Sequence, residues 1–225
     1  MDQFIDVERL AMILIMVVSF IPAMMFHEVA HGYMAWKLGD PTAKSRGRLS
    51  LNPLKHIDPF GTVLLPLMLI LSGMPAFGYA KPVPYNPRYF KDIRKGEILT
   101  GFAGPAANLV LGLAGALLAN LVVGFYDINP AVMSWVLTFF YVFTLVNFSL
   151  MFFNILPIPP LDGSSIIAPL LPRSALPRYY AIQRYALPIF MVVIIVLPML
   201  VGFNPIGIYM QYTAYGLTDL LFLAI

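Results

Sequence analysis

Residues 10–36 read LAMILIMVVSFIPAMMFHEVAHGYMAW, an apolar run that His27, Glu28 and His31 interrupt near its carboxyl end. As an α-helix this run would extend roughly 40 Å, which is enough to cross a bilayer with some tilt. Residues 1–9 are too acidic for the start of a signal peptide, so we expect the helix to be retained. Ionisable side chains at such a depth in a membrane helix usually mark a functional site.

The composition is that of an integral membrane protein. The 225 residues are 60% hydrophobic and only 11% charged, whereas soluble domains carry about a quarter charged residues. The apolar runs have the length of helices, which favours a helical bundle over an outer-membrane barrel. The chain has no cysteine, which excludes disulfides, thiolate metal sites and a cysteine nucleophile. Its net charge of +3 is small, and the basic residues flank apolar runs, so no nucleic-acid partner is predicted.

His27, Glu28 and His31 form the pattern H-E-x-x-H. Two residues four apart on a helix lie one above the other, so both imidazole rings can reach one ion. Glu28 then lies about 100° round the same helix surface, which is the arrangement of zinc hydrolases. The alternative is a pair of core histidines that neighbouring groups satisfy. Because unpaired polar groups are costly in apolar surroundings, we favour the metal site.

A catalytic zinc commonly has three protein ligands and a water, so two histidines leave it one ligand short. Three aspartates fall in polar loops, where a solvated charge or a helix cap is expected: Asp40, Asp58 and Asp92. Asp162 differs because it is the only charged residue between Asp127 and Arg173, and it follows prolines that end an apolar span. It is either the third ligand or the N-cap of a short helix that starts at Gly163, and the two roles are compatible.

The pattern of apolar spans predicts an all-α polytopic membrane protein. After the first helix, long spans are expected at 97–125 and 131–156, and further apolar stretches follow at 185–203 and 206–225. The span at 97–125 carries small residues that would let helices approach closely and would place it in the middle of the bundle: Gly101, Gly104, Asn108, Gly112 and Gly115. We therefore expect one membrane-embedded domain over 1–225, with a three-helix catalytic core at about 10–170 and C-terminal hydrophobic helices at about 178–225.

The segment between the first two long spans is irregular. Residues 60–79 are apolar but broken by prolines and glycines, and basic segments lie on both sides at 37–55 and 81–95. Because basic flanks favour the cytoplasmic side, both ends are predicted there, with a re-entrant or β-hairpin-like excursion at about 60–90. Our hypothesis is that this segment offers an edge to which an unwound substrate adds as a strand.

Three sequence elements occur in order: H-E-x-x-H at 27–31, G-x-x-x-N at 104–108, and N-x-x-P-x-P-x-L-D-G at 154–163. Together they resemble the site-2 protease family of intramembrane zinc metalloproteases, in the short form without a PDZ domain. The resemblance implies one Zn²⁺ per chain, held by His27, His31 and Asp162, with Glu28 as the base that takes a proton from the attacking water. It also implies a supporting or substrate-positioning role for residues of the other two elements: Asn108, Asn154, Pro157 and Gly163.

Three further polar residues carry weaker predictions. Asn154 and Asn147 are seven apart and share a helix face, and for Asn147 we favour hydrogen bonding between helices. Asn108 is expected to pack between helices near the site. His56 lies in a loop between basic and acidic residues, so we expect it to be solvated or to brace that loop.

The function predicted from these patterns is an integral, multi-pass zinc endopeptidase of a prokaryotic cell (inner) membrane, with its active site toward the cytoplasm. It would cut peptide bonds in or near transmembrane segments, either in regulated intramembrane proteolysis or in clearing signal-peptide remnants. The expected partners are a transmembrane substrate, the lipid bilayer and a regulatory membrane protein. The alternative is a metal transporter that uses the same His/Asp cluster, although transporters usually show paired repeats and none is evident.

Overall fold

The computed structural model describes residues 7–64, 68, 80–172, 174–192, 196, 198, 200 and 202–223. The regular elements of these residues are α-helices with short 3-10 and π-helical turns, and no strand occurs among them. The α-helices are α1 (Val7–Lys37), α2 (Thr42–Ser45), α3 (Ile93–Val122), α4 (Pro130–Ile155), α5 (Asp162–Ile167), α6 (Leu176–Gln183), α7 (Ala186–Met191), α8 (Pro205–Met210) and α9 (Gly216–Phe222). The all-α prediction is confirmed.

Helices α1, α3 and α4 are long and apolar enough to cross a membrane. The shortest of the three, α4, has 26 residues and measures roughly 39 Å at about 1.5 Å per residue, against about 30 Å for a bilayer's hydrocarbon core. Their outer faces expose large apolar side chains such as Leu14, Val110 and Leu121. Lipid is the solvent that such a surface requires, so the prediction of a polytopic membrane protein is confirmed.

Helix α3 packs against both α1 and α4, and the glycines on its inner face allow the close approach. A Cβ atom added at Gly104 would collide with the rings of His27 and His31, and one added at Gly112 would collide with Phe148 of α4. At Gly101 it would press on α5. The predicted position of this helix in the middle of the bundle is confirmed.

The C-terminal helices pack on α4. Phe148 is fully buried and forms a cluster with Met151 and with Ala214, which lies in the π-helical turn between α8 and α9. The hydroxyl group of Tyr209 in α8 donates a hydrogen bond of 3.1 Å to the carbonyl oxygen of Phe152. Residues 205–222 therefore extend the bundle on the side of α4.

The loop aspartates accept hydrogen bonds from main-chain N–H groups. Oδ1 of Asp58 accepts from the main-chain N–H of Phe60 and Gly61, and Asp92 is the N-cap of α3. Asp40 accepts from the N–H of Thr42 at 2.9 Å and from that of Asn86 at 2.6 Å. The capping interpretation is confirmed for Asp58 and Asp92. For Asp40 both alternatives are wrong, because the N-cap of α2 is Pro41 without a side-chain cap and because Asp40 is fully buried.

His56 is also fully buried, so its solvated alternative is wrong. Its Nε2 lies 2.8 Å from the carbonyl oxygen of Ser50, and its own carbonyl oxygen accepts from the N–H of Lys81 at 2.9 Å. The side chain and main chain of His56 thus brace the loop after α2 against residues 80–86.

The predicted excursion at about 60–90 falls largely on residues 65–67 and 69–79, which lie outside the described residues. Residues 80–86 have no regular secondary structure, and Pro59–Leu64 form a π-helical turn. A re-entrant or hairpin-like path therefore stays a prediction.

Candidate metal centre

Three predicted metal ligands converge inside the bundle. His27 and His31 lie one turn apart on α1, and Asp162 begins α5. Nε2 of His27 is 2.9 Å from Oδ2 of Asp162, and Nε2 of His31 is 3.2 Å from the same oxygen atom. The two Nε2 atoms are 3.1 Å apart. A tetrahedral ion with bonds of about 2.0–2.1 Å holds neighbouring ligand atoms about 3.3 Å apart, so this triangle has nearly the size that zinc requires.

The second nitrogen of each ring is already engaged. Nδ1 of His31 lies 2.7 Å from the carbonyl oxygen of Thr100, and Nδ1 of His27 lies 2.5 Å from Oδ1 of Asn108. Both oxygens accept, so both Nδ1 atoms carry the ring proton and both Nε2 atoms present lone pairs. Two lone pairs and a carboxylate then face one another, which is favourable only around a cation. Two imidazoles and one carboxylate are a donor set that suits zinc.

Asp162 reaches the histidines because the chain turns sharply after α4. The N-cap position of α5 belongs to Leu161, and no side chain caps that helix end, so the alternative of Asp162 as an N-cap is wrong. A Cβ atom on Gly163 would collide with the carbonyl oxygens of Ile155 and Leu156. Glycine at 163 therefore permits the close turn that carries the carboxylate back to α1.

Glu28 lies beside the cluster and borders a cavity of about 410 Å³. Its Oε2 accepts a hydrogen bond of 2.9 Å from the main-chain N–H of Val83. The polar side chains that line the cavity are His27, Glu28, Asn154 and Asp162, and the other walls are mostly apolar groups of α1, α4 and residues 80–82. A carboxylate next to convergent metal donors, open to such a cavity, can exchange a proton with a bound peptide and a water.

The remaining predicted site residues differ in where they lie. Asn108 contacts His27 directly, and Asn154 borders the cavity while its Nδ2 donates to the carbonyl oxygen of Leu150 at 2.9 Å. Asn147 accepts a hydrogen bond from Asn108 across the α3–α4 interface, as predicted. Pro157 is exposed and does not line the cavity, so its supporting role at the site stays a prediction.

Two contacts at the site come from main-chain groups that the sequence did not single out, the carbonyl of Thr100 and the N–H of Val83. The sequence does carry a signal for the Thr100 contact, because Thr100, Gly104 and Asn108 are spaced by four and form one stripe of α3 facing the histidines. The second had none, since Val83 lies in a segment without periodicity.

Comparison with known proteins gives the family. The sequence model of Peptidase family M50 matches residues 118–197. The Bacillus subtilis protein named "Putative zinc metalloprotease YwhC" is 36% identical over 213 residues, which cover 94% of this chain and 90% of that protein. Proteins named "Putative zinc metalloprotease Rip2" are similar too. The one from Mycolicibacterium smegmatis is 32% identical over 75% of this chain and 61% of its own length, and the one from Mycobacterium tuberculosis is 28% identical over 84% and 70%. No solved structure gives a significant match.

The similarity to the Bacillus protein extends over nearly the whole of both chains. The structure also brings together a His/His/Asp cluster that fits zinc. The chain therefore belongs to peptidase family M50, the site-2 protease family, and is a zinc metalloprotease of the membrane.

Proposed function

We propose that this protease hydrolyses peptide bonds in or near transmembrane segments of other membrane proteins. One Zn²⁺ per chain would be held by His27, His31 and Asp162, with Glu28 as the general base. The observation that carries the proposal is the position of these donors beside a largely apolar cavity in the bundle. His27 lies ten residues, or roughly 15 Å of helix, from Lys37 at the end of α1. A cavity at that depth suits the side chains of an unwound membrane segment.

The residues divide the chemistry between them. Zinc, when bound, supplies Lewis acidity that polarises the scissile carbonyl and makes water acidic enough to attack near neutral pH. Oε2 of Glu28 is held by the N–H of Val83, so its other oxygen takes the proton and delivers it to the leaving amine. The amide of Asn154 lies on the cavity wall, where it can hydrogen bond to the main chain of an extended substrate.

The distribution of basic residues supports a cytoplasmic site. Every Lys and Arg except Arg9 lies at or beyond the carboxyl end of α1, up to the first turn of α3, or after α4. These positions share one end of the bundle, and the turn at 123–129 on the opposite end has no basic residue. The positive-inside rule then orients that end, and the access route to the zinc, toward the cytoplasm of a prokaryotic cell.

Within this proposal, residues 1–225 act as a single membrane-embedded domain whose partners are the bilayer and a transmembrane substrate. Two uses fit such an enzyme: regulated release of a membrane-tethered protein, and removal of signal-peptide remnants. A regulatory membrane protein would then control the access of the substrate to the cavity.

The test combines zinc analysis with cleavage of a model transmembrane substrate by the purified protein in detergent or proteoliposomes. We expect Glu28→Gln to retain one zinc per chain and lose hydrolysis, and Asp162→Ala to lose zinc. Asp127→Asn, at the opposite end of the bundle, is the matched control and should behave as wild type. Full zinc occupancy in Asp162→Ala would remove the third ligand, and cleavage by Glu28→Gln would remove the base.

Substrate class is tested separately, with the same cleavable sequence placed in a transmembrane segment and in a soluble peptide. We expect cleavage of the membrane form only. Equal cleavage of both would contradict an intramembrane substrate while leaving the zinc assignment intact.

A further inference from the structure

A row of buried amides crosses the bundle from α4 to the ligand cluster. Asn147 of α4 and Asn108 of α3 are both completely buried. Nδ2 of Asn108 donates to Oδ1 of Asn147 at 2.9 Å, and Oδ1 of Asn108 lies 2.5 Å from Nδ1 of His27 on α1. Three membrane helices are thus linked by two side-chain hydrogen bonds in a place where water cannot substitute for either of them.

Main-chain carbonyls fix the direction of every bond in this row. Nδ2 of Asn147 donates to the carbonyl oxygen of Phe143 at 2.8 Å. Since a carbonyl only accepts, the oxygen of the Asn147 amide must point toward Asn108. Asn108 in turn presents Nδ2 to Asn147 and to the carbonyl oxygen of Ala23 at 3.0 Å, which leaves its own oxygen facing His27. His27 must then keep its ring proton on Nδ1 and a lone pair on Nε2.

We propose that Asn147 is a positioning residue for metal binding, which acts through Asn108 to hold His27 in the tautomer and ring orientation that bind zinc. The inference rests on the proposed role of His27 as a ligand. Asn147 itself is not a member of the ligand cluster.

The consequence of removing the acceptor follows from the chemistry of an amide. Without Oδ1 of Asn147, only the carbonyl of Ala23 still holds Nδ2 of Asn108, so the amide loses one of its two acceptors and the reversed orientation becomes less unfavourable. A reversed amide points N–H groups at Nδ1 of His27, which moves the ring proton to Nε2, where zinc must bind. Loss of the direct partner of a ligand typically weakens metal affinity by about 10- to 100-fold, and removing Asn147, which acts through that partner, should fall at the lower end of this range.

The experiment measures the zinc dissociation constant of the full-length protein by chelator competition, together with thermal unfolding of the metal-free form. Asn147→Leu removes the acceptor at similar volume. Asn147→Asp, which burial keeps protonated, retains an oxygen facing Asn108, while its O–H replaces Nδ2 as the donor to the carbonyl of Phe143. Thr144→Val is the matched control, because Thr144 is also buried on α4 and donates to the carbonyl oxygen of Gly112 without contact to the row. Should Asn147→Leu not accumulate as a folded protein, Asn147→Ala replaces it.

We expect Asn147→Leu to raise the zinc dissociation constant about tenfold or more, with Asn147→Asp and Thr144→Val close to wild type. The unfolding temperature of the metal-free protein should fall in both variants, and further in Asn147→Leu, because Asn147 makes two side-chain hydrogen bonds and Thr144 makes one. The inference is overturned by unchanged affinity in Asn147→Leu, by equal weakening in Thr144→Val, or by failure of Asn147→Asp to restore binding. His27→Ala distinguishes failure of the positioning role from failure of the proposed ligand set. If His27→Ala also binds zinc normally, the ligand set is wrong.

Discussion

Replacing Gly104 with alanine would disturb the ligand cluster while leaving every donor atom in place. A Cβ atom at this position lies 2.7 Å from both Cε1 and Nε2 of His27, and closer still to Nε2 of His31. Ordinary contacts begin at 3.4 Å, so the His27 ring must retreat by about 0.7 Å. The ring cannot retreat freely, because Asn108 holds its other nitrogen.

That displacement can be compared with what a metal site tolerates. Zinc sites hold ligand distances to within about 0.2 Å, so a shift several times larger removes at least one good bond. We expect the zinc affinity of Gly104→Ala to fall by about 100-fold, which corresponds to about 2.8 kcal/mol at about 1.4 kcal/mol per factor of ten. Proteolysis should fall with zinc occupancy.

The assay is chelator competition on the purified protein, with Gly115→Ala as the matched control. A Cβ atom at Gly115 would lie 2.7 Å from Oγ1 of Thr144, so this substitution also crowds the inner face of α3, but away from the ligands. We expect this control to lose thermal stability and keep its zinc affinity. Wild-type affinity in Gly104→Ala, or an equal loss in Gly115→Ala, would refute the reasoning.

Three other substitutions test separate parts of the structure. In Gly163→Ala the new methyl group meets main-chain carbonyl oxygens that cannot swing aside, so we expect lost zinc and a destabilisation of about 1–3 kcal/mol; full zinc occupancy would contradict this. Asp40→Ala leaves partly buried loop donors without an acceptor and should lower the free energy of unfolding by about 1–3 kcal/mol with zinc content unchanged; a wild-type melting temperature argues against it. Arg48 binds carbonyl groups of residues 81 and 82, next to the N–H that holds Glu28. Arg48→Ala should therefore reduce kcat by about tenfold at full zinc occupancy, whereas substitution of the exposed Arg46 by Ala should leave kcat unchanged. Equal rates in the two variants, or loss of zinc from Arg48→Ala, would contradict the role of Arg48 in positioning Glu28.

The parts of the fold that sequence reasoning predicted are those that depend on spacing within one helix. His27 and His31 face one point because a helix repeats every 3.6 residues, and the small residues of α3 share one stripe for the same reason. Asp162 could be predicted for another reason, because a lone carboxylate in an apolar stretch has few structural explanations.

Contacts between segments that are distant in the sequence could not be predicted from spacing within one helix. Asp40 and His56 lie among polar letters that normally indicate solvent, yet both are buried because residues 80–86 fold onto the loop that carries them. The N–H of Val83 that holds Glu28 is a main-chain group, which every residue except proline possesses and no sequence pattern marks.

The separation of 135 positions between His27 and Asp162 has a consequence for the making of the enzyme. A ribosome that has completed and inserted α1 has supplied both histidines, but the carboxylate emerges only after α3 and α4 have been synthesised. On the proposed assignment, no chain translated short of Asp162 carries the full ligand set. Until that point the nascent protease cannot attack membrane proteins that are being inserted beside it, and metal loading has to follow the synthesis of α3 and α4.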